Sequence, residues 1–128
     1  MELQGTLCSG LGEGATFTEL DWVAHEFREK LGFAPHPGTV NLSLTGDAWM
    51  NARARLRQTA GVAIDPPPGF CAAKCFAVLL NEQVEGFAVL PEVPDYPANK
   101  LEIVAPVFVR RVLKLQDGDR VNLRIDIE

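Results

Sequence analysis

The second half of the chain holds four strand-like segments with little between them, and this limits the folds open to it more than any other feature. Ala72 to Leu80 and Val84 to Leu90 are apolar runs separated by Asn81-Glu82-Gln83, which is the pattern of a hairpin. Leu101 to Ala105 is a short apolar strand, and Val121, Leu123, Ile125 and Ile127 alternate with polar residues as a last one. The three prolines of 91–99 make that segment a loop, Pro106 is placed to start a helix ending near Leu115, and Asp117-Gly118 reads as a turn. Parallel strands need crossover connections of about a dozen residues or more. Strands spaced like these pair antiparallel, which favours a small β-barrel decorated with helices over a doubly wound parallel sheet.

The first half adds the rest. Residues 3–8 alternate, with Leu3, Gly5 and Leu7 on one face, and predict a strand. Thr18 and Asp21 resemble a capping box, and Leu20, Val23, Phe27 and Leu31 follow at spacings of 3, 4 and 4, one apolar stripe of a helix closed by Gly32. Val40, Leu42 and Leu44 share one face of another strand; Thr39, Asn41 and Ser43 take the other. Asp47 to Ala60 reads as a helix with Trp49, Ala52 and Leu56 on one side. Asp65-Pro66-Pro67-Pro68-Gly69 is a breaker, with neither side long enough to be a separate domain. The tally is five or six strands and two or three short helices in a single domain, residues 1–128.

Composition narrows the function classes. With 12 Lys+Arg against 17 Asp+Glu the net charge is −5, which removes the general attraction to nucleic acid that a basic domain has. Arg53, Arg55 and Arg57 form a basic run that reads as a solvated helix face, and Arg110-Arg111 as a local neutraliser of phosphate. No apolar run approaches the ~18 residues of a membrane span. Cys8, Cys71 and Cys75 cannot all pair with one another and read as reduced thiols of a cytoplasmic protein. The C-x3-C of Cys71 and Cys75, with His25 and His36 as the only histidines, falls short of a four-ligand zinc site.

Two constellations carry chemistry. Gly10-Leu11-Gly12-Glu13-Gly14-Ala15 satisfies G-x-G-x-x-A between a strand and a helix, the dinucleotide fingerprint on paper. That motif requires a second parallel strand ending near an acidic residue; here Pro35-His36-Pro37-Gly38 follows instead. What survives is more general: a run of backbone N–H groups free to converge on an anion, set against a tight turn without ligand. Thr39 and Asn41, two apart on a strand, direct two hard oxygen donors to one face, suited to Mg²⁺ that arrives with phosphates. The competing reading is a polar strand face hydrogen-bonded locally.

Taken with Leu31-Gly32-Phe33-x-Pro35-x-Pro37-Gly38-Thr39-x-Asn41, Lys74-Cys75-Phe76, Leu101-Glu102-Ile103-Val104-Ala105-Pro106 and Asp117-Gly118-Asp119-x-Val121, the glycine loop resembles that of the archaeal-type CTP-dependent riboflavin kinases along essentially the whole chain. The resemblance implies a mainly β fold, a six-stranded barrel of the cradle-loop type, without the winged-helix domain many members carry. It implies transfer of the CTP γ-phosphoryl to the ribityl 5′-hydroxyl of riboflavin, giving FMN and CDP. By the same resemblance Gly10, Leu11, Gly12, Glu13, Gly14 and Ala15 wrap the nucleotide phosphates. Val107, Phe108, Val109 and Arg110 contact the cytidine end, Glu102 contacts the flavin, and Thr39 and Asn41 ligate one Mg²⁺ per site. No general base is identified.

One departure bears on the acceptor. Where the family has an Arg-Thr-His-Tyr-like stretch, this chain has Val93-Pro94-Asp95-Tyr96. Pro94 offers neither a hydroxyl nor an amide hydrogen. The alternatives are a non-catalytic nucleotide- or flavin-binding protein of the same fold, and a kinase acting on a different small alcohol.

Overall fold

The structure, a computed structural model, describes residues 1–8, 21–36, 38–66, 68, 72–92 and 96–126. The described residues form β1 (Glu2–Cys8), α1 (Asp21–Leu31), β2 (Val40–Ser43), α2 (Asp47–Gln58), β3 (Val62–Ile64), β4 (Ala73–Leu80), β5 (Val84–Pro91), β6 (Lys100–Val104), α3 (Val109–Val112) and β7 (Arg120–Ile125). Every strand pairing is antiparallel, in the order β3-β4-β5-β6-β2-β1-β7, and β7 pairs back onto β4. Six strands therefore close on themselves, which leaves no open edge within the ring. The fold is mainly β, a six-stranded antiparallel barrel with three short helices, as the strand count led us to expect.

Closure depends on β4 serving two partners along one edge. Its first residues, Ala73 to Cys75, pair with β3, and its last, Val78 to Leu80, pair with β7. The sequence reading had no strand at Val62–Ile64. Three residues ahead of a proline run carry too little periodicity to read, and it is the β4 edge that holds them extended.

Inward-facing residues of the barrel strands, among them Leu7, Leu42, Leu80, Leu101, Ile103 and Leu123, form the main core. Trp49, Ala52 and Leu56 of α2 join it, as their helical spacing predicts. A second cluster lies on the outer face of β3, β4 and β5, covered by Val23 and Phe27 of α1. Leu20, predicted on the same stripe, lies outside the described residues, as does Thr18. Phe33 rests against Phe27 and Phe87, with ring centroids 6.5 and 5.9 Å apart. Cys75 is buried here, and loss of solvation pushes its thiol up to about 12. It and Cys8 are free thiols.

Two local devices fix the connections. Lys74 on β4 donates to the carbonyls of Leu56, Arg57 and Thr59 at 3.2, 2.7 and 3.0 Å, tying down the C-terminal end of α2, where the Leu56 carbonyl also accepts the Thr59 amide. The β4–β5 hairpin turns through Asn81 and Glu82, both at positive φ, and Asn81 Oδ1 accepts the Asn122 amide at 2.8 Å.

The expected helix from Pro106 to Leu115 is reduced to the single turn of α3. Pro106 and Val107 form a bend instead, because Ala105 still belongs to the sheet layer and its carbonyl accepts the His36 amide at 2.8 Å. At the other end Lys114 takes φ +56°, and the Leu115 amide bonds the Arg110 carbonyl at 2.8 Å. This turn brings Leu113 and Leu115 against the core. Among the described residues no helix is long and apolar enough to cross a membrane.

Candidate active site

The site grows from the pairing of β2 with β6. Leu42 faces Leu101, and Val40 faces Ile103, toward the core. Alternation then puts Asn41 and Glu102, which are directly opposed, on the other side of the sheet. Asn41 is 7% exposed, with its amide nitrogen donating to the Thr39 carbonyl at 3.3 Å. That bond fixes which way the amide points, since the reversed amide would set two carbonyl oxygens against each other. Its Oδ1 is consequently buried and accepts no hydrogen bond among the described residues.

An unsatisfied buried carbonyl oxygen normally costs about 1–3 kcal/mol. A hard cation that prefers oxygen ligands would satisfy it. The Thr39 hydroxyl lies close by, donating to Glu102 Oε1 at 3.4 Å. The donor set thus suits Mg²⁺. No cluster of three or more His, Cys, Asp or Glu side chains forms among the described residues.

Glu102 is held from three sides. Besides Thr39, the Tyr96 hydroxyl donates to its Oε2 at 2.6 Å, and Lys100 Nζ stands 3.8 Å from Oε1. The Lys100 ammonium also lies 5.7 Å from the centroid of the Tyr96 ring. Burial first, and then the adjacent Glu102 carboxylate, push the Tyr96 hydroxyl far above the ordinary tyrosine value of 10.0. It is a donor throughout the physiological range.

The end of β1 completes the frame. Cys8 stands opposite Asn41 and donates its thiol to the Asn41 carbonyl at 3.5 Å. Arg110 reaches the Cys8 carbonyl at 3.4 Å and pairs with Asp117 at 2.6 Å. The Asp117-Gly118 turn is itself tied to β1, with the Gly118 amide donating to the Leu7 carbonyl at 2.7 Å. The strand that leads into the glycine-dense segment therefore ends beside both Asn41 and Arg110. Residues 10–15 lie outside the described residues, as do Val93, Pro94 and Asp95.

A cavity of about 160 Å³ opens next to Thr39, bounded by Gly38, Val107, Phe108 and Arg110. Gly38 sits at φ +94°, where an L side chain is strained although a Cβ would meet nothing within 4 Å. Glycine there answers a backbone requirement. The Phe108 ring, 43% exposed, stacks on His36 with centroids 5.0 Å apart and planes 2° apart. Arg111 covers the ring at 5.7 Å. Val109, in contrast, is a core residue.

Thr39, Asn41, Glu102 and Arg110 are thus gathered at one end of the barrel, with Val107 and Phe108 on the adjoining wall. The sequence reading missed Tyr96, Lys100 and the His36–Phe108 stack, because each acts through a partner brought close only by the loops before β2, β6 and α3. Arg53 and Arg57, read as part of a solvated face, line a separate cavity of about 370 Å³ together with Lys100 and Tyr96.

The fold and the site define a small closed barrel with an amide, a hydroxyl, a carboxylate and a guanidinium brought together at one polar end. The family model for CTP-dependent riboflavin kinases, described as domain of unknown function DUF120, matches residues 7–125. The chain belongs to this family. A riboflavin kinase of Aeropyrum pernix is 38% identical over 126 residues, covering 95% of this chain and 93% of its own. One from Methanosarcina acetivorans is 37% identical over 129 residues, covering 98% of this chain and 54% of its own. One from Pyrobaculum islandicum is 37% identical over 135 residues, with 100% and 62% covered. The chain therefore spans about half the length of the Methanosarcina relative and nearly all of the Aeropyrum one.

Proposed function

We propose that the chain is a riboflavin kinase that transfers the γ-phosphoryl of CTP to the ribityl 5′-hydroxyl of riboflavin, giving FMN and CDP. Similarity to riboflavin kinases over nearly the whole chain supports the reaction, and the family name supports CTP as donor. The observation that carries the reading is the Asn41 Oδ1, buried with no hydrogen-bond donor among the described residues and set opposite Cys8 at the end of the strand that leads into the glycine-dense segment.

Phosphoryl transfer is largely positioning and neutralisation of charge. Thr39 and Asn41 hold one Mg²⁺, which supplies charge neutralisation at the transferring phosphoryl. Main-chain amides of Gly10 to Ala15 cradle the phosphates, and Arg110 adds a positive charge at their edge. The main chain from Val107 to Arg110 reads the amino and carbonyl groups of cytosine. The Phe108 ring, stacked on His36, forms the wall of the cavity beside the base. Glu102 would orient the acceptor.

Incubation with riboflavin, CTP and Mg²⁺ should yield FMN, with ATP a much poorer donor. Pro94 and Asp95 replace the family's threonine and histidine on the acceptor side, so donor and acceptor should be varied independently. Turnover of CTP with another alcohol but not with riboflavin reassigns the acceptor. Tight CDP binding with no turnover of any acceptor overturns the kinase reading in favour of a binding protein of the same fold.

A further inference from the structure

We infer that Tyr96 is a positioning residue: its hydroxyl fixes the Glu102 carboxylate, which holds the Thr39 hydroxyl so that its oxygen lone pairs face the cation shared with Asn41. The inference rests on the reading of Thr39 and Asn41 as the cation-binding pair.

A threonine hydroxyl has one proton and two lone pairs, and its rotor is otherwise free. A cation needs the lone pairs and is repelled by the proton. In this structure the proton has a defined acceptor, Glu102 Oε1, at 3.4 Å. Glu102 can serve only if its own side chain is held, and its backbone in the β2–β6 ladder fixes Cα but not the carboxylate. The second oxygen supplies the hold: the Tyr96 hydroxyl reaches Oε2 at 2.6 Å, the length of a strong hydrogen bond to an ionised carboxylate.

Tyr96 is suited to the task because it stays protonated. Burial and the neighbouring carboxylate both resist its ionisation, so the bond keeps one direction. Lys100 closes the arrangement, 3.8 Å from Oε1 and over the face of the Tyr96 ring. Partners one step removed from a metal commonly set its affinity by roughly 10- to 100-fold through the orientation of the ligands.

Tyr96→Phe keeps the ring and its contact with Lys100 and removes only the hydroxyl. Calorimetric titration of Mg²⁺ into the protein with CDP present should show affinity about tenfold weaker than in the parent. CDP binding without metal should be unchanged, and the loss should vanish when Glu102→Gln is already in place. A second readout does not depend on ligands. The chain has a single tyrosine, so tyrosinate absorbance during alkaline titration reports Tyr96 alone, and Glu102→Gln should lower its midpoint.

Y96F that takes up Mg²⁺ as tightly as the parent overturns the role of Tyr96, as does a Tyr96 titration unmoved by E102Q. Losses that add in the double variant also overturn it, since they would show Tyr96 acting apart from Glu102. A parent protein that binds CDP with no uptake of Mg²⁺ overturns the cation reading itself, and this role falls with it.

Discussion

Asn41 of β2 and Glu102 of β6 stand directly opposite one another in an antiparallel ladder whose flanking pairs, Leu42–Leu101 and Val40–Ile103, face the core. One stretch of sheet thus packs the barrel on one side and presents an amide and a carboxylate on the other. Site and core share a backbone but not side chains. Substitutions at the polar positions should therefore separate activity from stability.

Asn41→Ala is the sharpest case. Among the described residues the side chain makes one hydrogen bond, at 3.3 Å to the Thr39 carbonyl, and a bond of this kind contributes roughly 0.5–1.5 kcal/mol net. Removing the unsatisfied Oδ1 at the same time returns part of that. The denaturation midpoint should move little, equivalent to about 1 kcal/mol or less, while Mg²⁺-dependent FMN formation should fall tenfold or more. Full activity in this variant would exclude Asn41 as a cation ligand.

Phe108→Ala tests the wall of the nucleotide cavity. Phe108 is exposed and stacks on His36, so its loss should leave the fold intact. Ring stacking is worth about 0.5–1.5 kcal/mol beyond area burial, which predicts a KM for CTP raised by roughly two- to twelvefold with kcat little changed. A fall in kcat at constant KM would place the ring elsewhere in the reaction.

The pH dependence of stability should carry a signature of Tyr96. In the unfolded chain tyrosine ionises near 10.0, whereas in the folded state burial and Glu102 hold it protonated well above that. Below the unfolded value both states keep the proton and the contribution of Tyr96 is complete. As pH rises past it the unfolded state binds fewer protons, so stability falls. Denaturant midpoints at about pH 9 and about pH 11 should show this drop, and it should be smaller in Tyr96→Phe. Tyrosinate absorbance in the native protein should lag behind that of the unfolded protein.

Gly86→Ala should be destabilising although it adds only a methyl group. A Cβ at Gly86 would lie 2.6 Å from the Val104 carbonyl oxygen, which is backbone of the neighbouring strand and cannot swing away. Overpacking of this kind costs about 1–3 kcal/mol, measurable as a lowered midpoint in urea. The shift should accompany loosening of β5 from β6, read as faster amide exchange in those strands.

How much was legible beforehand follows from the range of the interactions. The alternation of Val40, Leu42 and Leu44 against Thr39, Asn41 and Ser43 set which side of β2 is core, because side chains of an extended chain alternate whatever it pairs with. The stripe of Val23 and Phe27 and that of Trp49, Ala52 and Leu56 were read by the same kind of local periodicity. β3 escaped notice because three residues beside a proline run carry no period. The helix expected from Pro106 was overruled by the Ala105–His36 bond, which joins segments 69 residues apart (105 minus 36).

The chain of residues by itself determined a closed antiparallel architecture and which oxygen donors share a strand face, since both rest on local alternation and on the lack of room for crossovers. Only the tertiary structure decided that Asn41 Oδ1 is left without a donor among the described residues, that Glu102 stands opposite Asn41, and that Tyr96 and Lys100 hold the carboxylate. Those relations depend on strand register and loop path. Register is settled by the whole barrel closing at once, when β7 meets β4, and no single segment contains that information.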